Sequence, residues 1–394
     1  MAHPFKITPE KDTMRPIYLD YNATTPIDPE VAAAMLPYIR EHFGNPSSSH
    51  AYGAAARKGV EKAREQVAAL LNCRPSEVLF TSGGTESNNH AIKGAARAHR
   101  SKGNHIVTSA FEHPAVTEVC EYLAADGFDI TCVPVDARGI VDVEALEKTV
   151  TERTILVSVM HANNEVGTVQ PIGEIVRIAR RRGILVHTDA AQSAGKIPVD
   201  VSELGIDLLT VAGHKLYAPK GVGVLYVRDG VQLEKFMHGA GHETGRRAGT
   251  ENVIGAAGLG AACEAARRDL AVNMDRMKRT RDRIEAGLLG AVEDVRVNGH
   301  PESRLPNTSS VSFRGVDAGA LLQAMEGLAA SAGAACHGNA VELSRTLRAM
   351  AVPIEWARGT IRLSTGKYTT EGEIDRAVEI IAGAVKQIRS GILE

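Results

Sequence analysis

The chain has 394 residues, 44% hydrophobic and 23% charged, with 38 glycines, a balance that suits a globular protein of one large and one smaller domain and excludes extended disorder. A formal charge of -2 supplies no long-range positive field, so neither nucleic acid nor a membrane surface is an expected partner. The five cysteines, Cys73, Cys120, Cys132, Cys263 and Cys336, are odd in number, scattered and free of CxxC spacing, which argues against a disulfide framework or a zinc site and for a reducing, cytoplasmic compartment.

In chain order, Met1 to Thr13 is polar and holds no apolar run that could serve as a signal peptide or membrane anchor. Residues 1–16 therefore read as an N-terminal extension, with Met14 just ahead of the first strand-like run, Ile17 to Leu19. From about residue 77 to 227, short β-rich runs alternate with helical stretches: EVLFTS, HIVTS, DITCVPV, TILVSVM, ILVHTD, DLLTVA and VGVLYV. Most are nearly continuous in Val, Ile and Leu, as expected where helices cover both faces. This predicts an α/β fold with one mainly parallel, doubly wound, seven-stranded sheet in a large domain over 17–255.

Past residue 255 the texture changes to an Ala- and Arg-rich helical stretch reaching about 291, then the β-like runs SSVSFRG (309–315) and GTIRLSTG (359–366), then a last helix over Thr370 to Ile388. This predicts a smaller α+β domain over 256–394. The sequence carries no fixed-period repeat, coiled coil or low-complexity linker.

Ligands of open parallel sheets sit beyond the carboxyl ends of the strands, so polar clusters just after strands are the candidates. The first, Thr81 to Asn88, contains Gly83, Gly84 and Thr85 ahead of an Ala-rich helix; glycine backbone and free helix N–H groups suit an anion, although a capped Gly turn explains the same residues equally well. The second, His187 to Gln192, places Asp189 where it can hold a protonated ring nitrogen, or simply ends a strand in polar residues. The third, Ala212 to Gly221, offers Lys215 between His214 and Lys220, whose charges lower an amine's pKa and favour Schiff-base chemistry. A solvated loop lysine is the commoner case, but an anion-binding turn, an Asp and a Lys ending strands in that order point to chemistry.

The fourth cluster, Ser331 to Ala340, is a run of small residues around Cys336, with little side chain to pin it, so a mobile loop with an accessible, reactive thiol is expected. The other four cysteines read as small buried hydrophobes.

Ordered blocks extend these clusters: YLDYNATTP (18–26), GNPSSSH (44–50), GGTESNN (83–89), EHPAV (112–116), NNEVG (163–167), HTDAAQSAGK (187–196), GHKLYAPKG (213–221), GRRAGTEN (245–252) and IRLSTG (361–366). In these, from about Tyr18 to Val385, the chain resembles the NifS/IscS-type cysteine desulfurases of the class V aminotransferase superfamily. The resemblance implies a fold-type I transferase dependent on pyridoxal 5'-phosphate. It implies that Lys215 carries the cofactor as a Schiff base, Asp189 pairs with the pyridine nitrogen, and His113 lies over the ring and shuttles protons. It further implies that Gln192 and Asn163 contact the ring hydroxyl, and that Gly84, Thr85, Ala212 and His214 surround the phosphate, joined by Thr250 from a second subunit of a homodimer. Arg362, with Asn163, would hold the carboxylate of the substrate L-cysteine, a task suited to its planar fork. Cys336 would accept the sulfur as a persulfide and pass it to an acceptor such as an iron–sulfur scaffold; no resident metal is implied, Cys336 being at most a transient cluster ligand.

The chain departs from the family pattern in three places. Many desulfurases have a serine two residues before the phosphate-binding histidine, and Ala212 stands there, which predicts weaker phosphate binding. The pair Cys336-His337 is more like that of selenocysteine lyases, which keeps selenocysteine open as substrate. The chain stops soon after its last helix, so a long scaffold-docking tail is not expected. A non-catalytic dimeric scaffold, or another class V enzyme such as an aminotransferase or decarboxylase, would share the fold; the first has no need of Lys215, Asp189 and His113, and the second none of Cys336.

Overall fold

Neighbouring residues of a strand face opposite sides of its sheet, and in this chain both sides are apolar. The structure, a computed structural model, describes residues 15–337 and 340–391, with backbone alone over 334–337 and 340–342. After β1 (Ile17–Tyr18), Asp28 caps α1 (Pro29–Arg40) by accepting from Glu30 N at 2.7 Å, with Pro29 in the first helical position. α2 (Ala51–Leu71) ends on Asn72 in the left-handed conformation.

The seven apolar runs of the sequence then become β2 (Val78–Thr81), β3 (His105–Ser109), β4 (Asp129–Val133), β5 (Thr154–Ser158), β6 (Leu185–Asp189), β7 (Leu208–Ala212) and β8 (Gly223–Val227). Between them lie α3 (Gly84–Ala98), α4 (Pro114–Ala125), α5 (Val143–Thr149), α6 (Ile172–Arg180) and α7 (Val201–Leu204). The strands form one sheet in the order β2-β8-β7-β6-β5-β3-β4, with β8 antiparallel to both neighbours. Adjacent residues split between its faces. Leu79, Ile106, Leu156 and Leu208 pack against α3 and α4, whereas Phe80, Val107, Val157 and Leu209 join the core formed with α1, α2 and α6.

α8 (Val253–Ala291) has 39 residues, about 58 Å at 1.5 Å per residue, and belongs to both cores. Leu259 and Cys263 are buried with the large sheet, Ile284 and Leu288 in the second core. The chain continues through β9 (Val295–Asn298), β10 (Thr308–Phe313), α9 (Ala318–Ala324), β11 (Leu328–Ala329), β12 (Ser331–Ala332), β13 (Ala334–His337), β14 (Ala340–Leu343), α10 (Arg345–Ala349), α11 (Ile354–Ala357), β15 (Thr360–Ser364) and α12 (Glu371–Arg389); β10, α9, β15 and α12 supply most of the second core, while Leu347 of α10 and Ala357 of α11 form a small separate cluster with Val166. An antiparallel sheet, β12-β15-β10-β9, is the frame of the second core, and a Thr370–Glu373 capping box starts α12.

The division at residue 255 falls within the first turn of α8, a helix shared by both cores, and β1 pairs with β11 so that Ile17 and Leu19 join the second core rather than the large domain. Residues 1–14 of the expected extension lie outside the described residues. The expected loop at Cys336 is a hairpin: β13 pairs with β14, Cys336 opposite Val341 and His337 opposite Ala340. Gly338 and Asn339, which stand between those strands in sequence, lie outside the described residues.

Because α8 carries both cores, Leu259→Ala and Leu288→Ala should each lower unfolding stability by about 2–5 kcal/mol, the usual cost of emptying a fully buried leucine site. Chemical denaturation checks this. A loss below about 1 kcal/mol at Leu288 would mean that α8 does not tie the second core.

Candidate active site

β2, β3, β5, β6 and β7 run in one direction, so the segments that follow them meet at one edge of the sheet. A cavity of about 330 Å³ opens there, lined by Gly84, Thr85, His113, Asp189, Gln192, Ala212, His214 and Lys215, with Arg362 reaching in from β15. Nearly all of the residues picked out in sequence are thereby brought together.

One end suits an anion. Gly83 precedes α3 at φ 149°, a backbone conformation open in practice only to glycine. The first helical amide with a partner is Ser87 N, which donates to Gly83 O at 3.1 Å, so the N–H groups of Gly84 and Thr85 have no intrahelical acceptor. A Cβ on Gly84 would come 3.2 Å from Ala212 Cβ, so the two small residues leave this wall open. His214 Nδ1 lies 3.2 Å from Thr24 Oγ1, and burial, then the charges of Lys215 and Lys220, push its pKa down to about 4, leaving a neutral ring with one N–H to donate.

The deeper end holds Asp189, 7% exposed at the tip of β6. Its Oδ2 accepts from Asn88 Nδ2 at 2.7 Å and its Oδ1 from Ala191 N at 2.9 Å, which fixes the carboxyl plane. Asn88 Oδ1 is buried without a partner. His113 is both site residue and N-cap of α4: its Nδ1 accepts from Ala115 N at 3.1 Å, with Pro114 in the first helical position. Burial lowers its pKa, and the cap makes Nδ1 the acceptor, so the neutral ring carries its proton on Nε2.

Lys215 Nζ donates to the main-chain oxygens of Asn22 at 2.6 Å and Ala23 at 2.7 Å. Burial, aided by the nearby Arg362 charge and opposed by Asp189, brings its pKa down to about 8. Arg362 is held from behind: Nη2 donates to Asp20 Oδ1 at 2.7 Å and Ser331 Oγ at 3.0 Å, and Nη1 to Asn164 O at 3.1 Å. Its Nε is buried with no partner, a free donor on a cationic fork.

Asn163 does not line this cavity. Its Oδ1 accepts from Glu165 N and Val166 N, its Nδ2 turns toward Phe111 O and Thr346 Oγ1, and it is fully buried; the neighbouring Asn164 stands on the wall instead. Thr250 is exposed on the segment before α8 and takes no part in this chain's own cavity. The side chain of Cys336 lies outside what is described, but its strand is close to the site: Ser331 pairs with Arg362, and the five residues to Cys336 span at most about 18 Å. Of the other cysteines, Cys120 and Cys263 are buried, Cys73 is half-buried, and Cys132 is exposed on the edge strand β4, contrary to expectation. Burial raises the thiol pKa of Cys73 and Cys120 to about 12 and also that of Cys263, so these are poor nucleophiles; the Cys132 thiol is raised as well, by partial desolvation and the charge of Glu112.

Sequence reasoning gave no role to Asn22, Asn88, Asn164 or Lys196. The block YLDYNATTP contains Asn22, yet nothing local shows that residue 22 would meet residue 215. Among the described residues no group of three or more His, Cys, Asp or Glu is placed to hold a metal ion. The arrangement can hold a small ring with an anion at one end, a basic nitrogen at the other and an aldehyde within reach of Lys215, beside a site for a carboxylate.

Residues 17–377 match the family described as aminotransferase class-V. The cysteine desulfurase IscS of Dictyoglomus turgidum is 45% identical over 378 residues, covering 95% of this chain and 96% of that protein. A solved NifS-like protein superposes with a TM-score of 0.89 at 40% identity, over 94% of this chain and 99% of its own. A structure described as SspA in complex with cysteine superposes with a TM-score of 0.77 at 34% identity, over 90% and 99%.

An ordinary lysine amine is only about 0.3% neutral at pH 8. Lys215 should be about half neutral there. The rate at which the ligand-free protein captures an added aldehyde, measured against a Lys215→Ala control, should therefore climb through about pH 8 and level off above it. A rate still climbing steeply into the ordinary lysine range would contradict this tuning.

Proposed function

The chain belongs to the class V aminotransferase family, and from that premise we propose that it is a pyridoxal-phosphate-dependent cysteine desulfurase whose sulfur acceptor is Cys336. The observation that carries the proposal is the meeting of Lys215, Asp189 and Arg362 at one cavity, with Arg362 Nε left unpartnered.

The residues fit the cofactor. The amides of Gly84 and Thr85, with Thr85 Oγ1 and the neutral His214, suit its phosphate; Asp189, fixed by Asn88, suits its pyridine N–H; and Lys215 suits its aldehyde. When bound, pyridoxal phosphate supplies an electron sink for charge developing at the substrate's Cα. Ala212 offers no hydroxyl, so within this chain the phosphate relies on the helix amides, Thr85 Oγ1 and His214. Thr250, exposed and outside its own chain's cavity, is free to complete the phosphate site of a second copy, which supports a homodimer.

The chain's own groups have distinct tasks. Arg362, oriented by Asp20 and Ser331, binds the carboxylate of L-cysteine through the donors it has left. Lys215, with an amine pKa near 8, releases and takes up a proton at Nζ near neutral pH. His113 handles a proton at Nε2, its other nitrogen being tied to α4. Cys336, as thiolate, forms a bond to the substrate sulfur; the carbon–sulfur bond breaks, its electron pair stays on carbon, and protonation gives alanine. No oxidant is consumed, since the persulfide sulfur comes from the substrate. The persulfide can then pass to an acceptor such as an iron–sulfur scaffold protein. Among the described residues no helix is long and apolar enough to cross a membrane, and a cytoplasmic setting suits a persulfide carrier.

Cys336→Ser should abolish alanine release from cysteine, by at least about 100-fold, because no thiolate remains to take the sulfur. Release of alanine from selenocysteine by the same variant would assign a selenocysteine lyase activity beside the thiol-dependent one. Undiminished release from cysteine would contradict the role of Cys336.

A further inference from the structure

Lys196 is a buried amine that none of the steps above uses. It is 4% exposed, and its Nζ donates to Gln192 Oε1 at 2.8 Å and Asn22 Oδ1 at 3.2 Å. The backbone is built to bring it there. Gly195 has φ 74°, in the left-handed region that favours glycine, and a Cβ on it would fall 1.9 Å from Leu216 Cδ1, so a side chain there would displace Leu216. Lys196 N and Ile197 N both donate to Ser193 O, at 2.9 and 3.1 Å, folding the lysine side chain back onto Gln192 four residues earlier.

These contacts decide which way the Gln192 amide faces. The main-chain oxygen of Asn22 can only accept, so the Gln192 atom 3.0 Å from it is Nε2. The other amide atom, Oε1, then meets Lys196 Nζ. With Oε1 occupied and one Nε2 proton spent on Asn22, what Gln192 has left for the cavity it lines is its second N–H.

Resting on the reading that pyridoxal phosphate binds here, we propose that Lys196 is a positioning residue: by occupying Gln192 Oε1 it makes Gln192 offer an N–H to the ring hydroxyl, holding that hydroxyl as its anion. An amide turned the other way would present a carbonyl and favour the neutral hydroxyl. Burial, then Lys215 and Arg362, push the Lys196 amine well below the usual lysine range, which suits a hydrogen-bond donor better than a fixed charge.

The test is a pH titration of the visible absorbance of the holoenzyme, a property of the bound cofactor rather than of turnover. Lys196→Met leaves Oε1 without a donor, so the Asn22 contact alone opposes turning of the amide, and the midpoint should rise by about one pH unit, the scale of one lost hydrogen bond. In a Gln192→Leu background the same substitution should add no further rise, because its effect passes through the amide. Lys196→Gln, which keeps a donor for Oε1 without any charge and is the gentler change to the fold, should hold the midpoint near that of the unaltered protein. An unmoved midpoint in Lys196→Met, an equal rise in both backgrounds, or a full rise in Lys196→Gln would overturn the proposal while leaving the desulfurase reading intact. Absence of any visible band from the unaltered protein with added cofactor would overturn both.

Discussion

The hydrogen bonds converging on Asn22 are the constraint on which the site depends. Its carbonyl accepts from both Lys215 Nζ and Gln192 Nε2. Its side chain accepts from Lys196 and Asn307 and donates to Asn164 O and Thr308 Oγ1, and its N–H donates to Ser364 Oγ. Lys196, Gln192, Lys215 and Asn164 belong to the large sheet's edge; Asn307, Thr308 and Ser364 belong to the sheet that carries Arg362. One residue, 1% exposed, thus fixes the distance between the amine and the guanidinium. A buried polar hub of this kind is stable only when fully satisfied, and every polar atom of Asn22 is.

The same region gathers basic groups. Lys215 and Arg362 lower the affinity of Lys196 for its proton, Arg362 lowers that of Lys215, and Asp189 and Asp20 act on Lys215 in the opposite sense. Buried like charges cost free energy that anions can offset. A phosphate at the α3 amides and a carboxylate at Arg362 are the anions proposed, so the cavity's electrostatics and its proposed ligands agree.

Much of this was legible in sequence. The seven apolar runs between residues 77 and 227 are all strands of one sheet, because a mainly parallel sheet buried on both faces imposes near-continuous Val, Ile and Leu. Asp189, Lys215 and Gly84 were legible as strand-end residues, since strands running in one direction deliver their following segments to one edge. The turn at Asn163 and Asn164 was not legible: Asn163 Oδ1 accepts from two backbone amides while Asn164 lines the cavity, and no periodicity reveals that. Asn22 was missed because its partners lie as far as 342 residues along the chain. That α8 serves both cores was not legible, because a continuous helix shows no change of composition where it leaves one core for another. Reading the Cys336 segment as a loop overlooked that a run of small residues can still pair, as β13 does with β14.

What joins fold to function in this account is the transfer of one sulfur atom from cysteine to Cys336. Mass analysis of peptides from the holoenzyme after brief exposure to L-cysteine, without reductant, tests it directly. The peptide containing Cys336 should gain the mass of one sulfur atom and lose it on addition of a thiol reductant. An unchanged Cys336 peptide while alanine accumulates, or the added sulfur appearing on Cys132 instead, would contradict it.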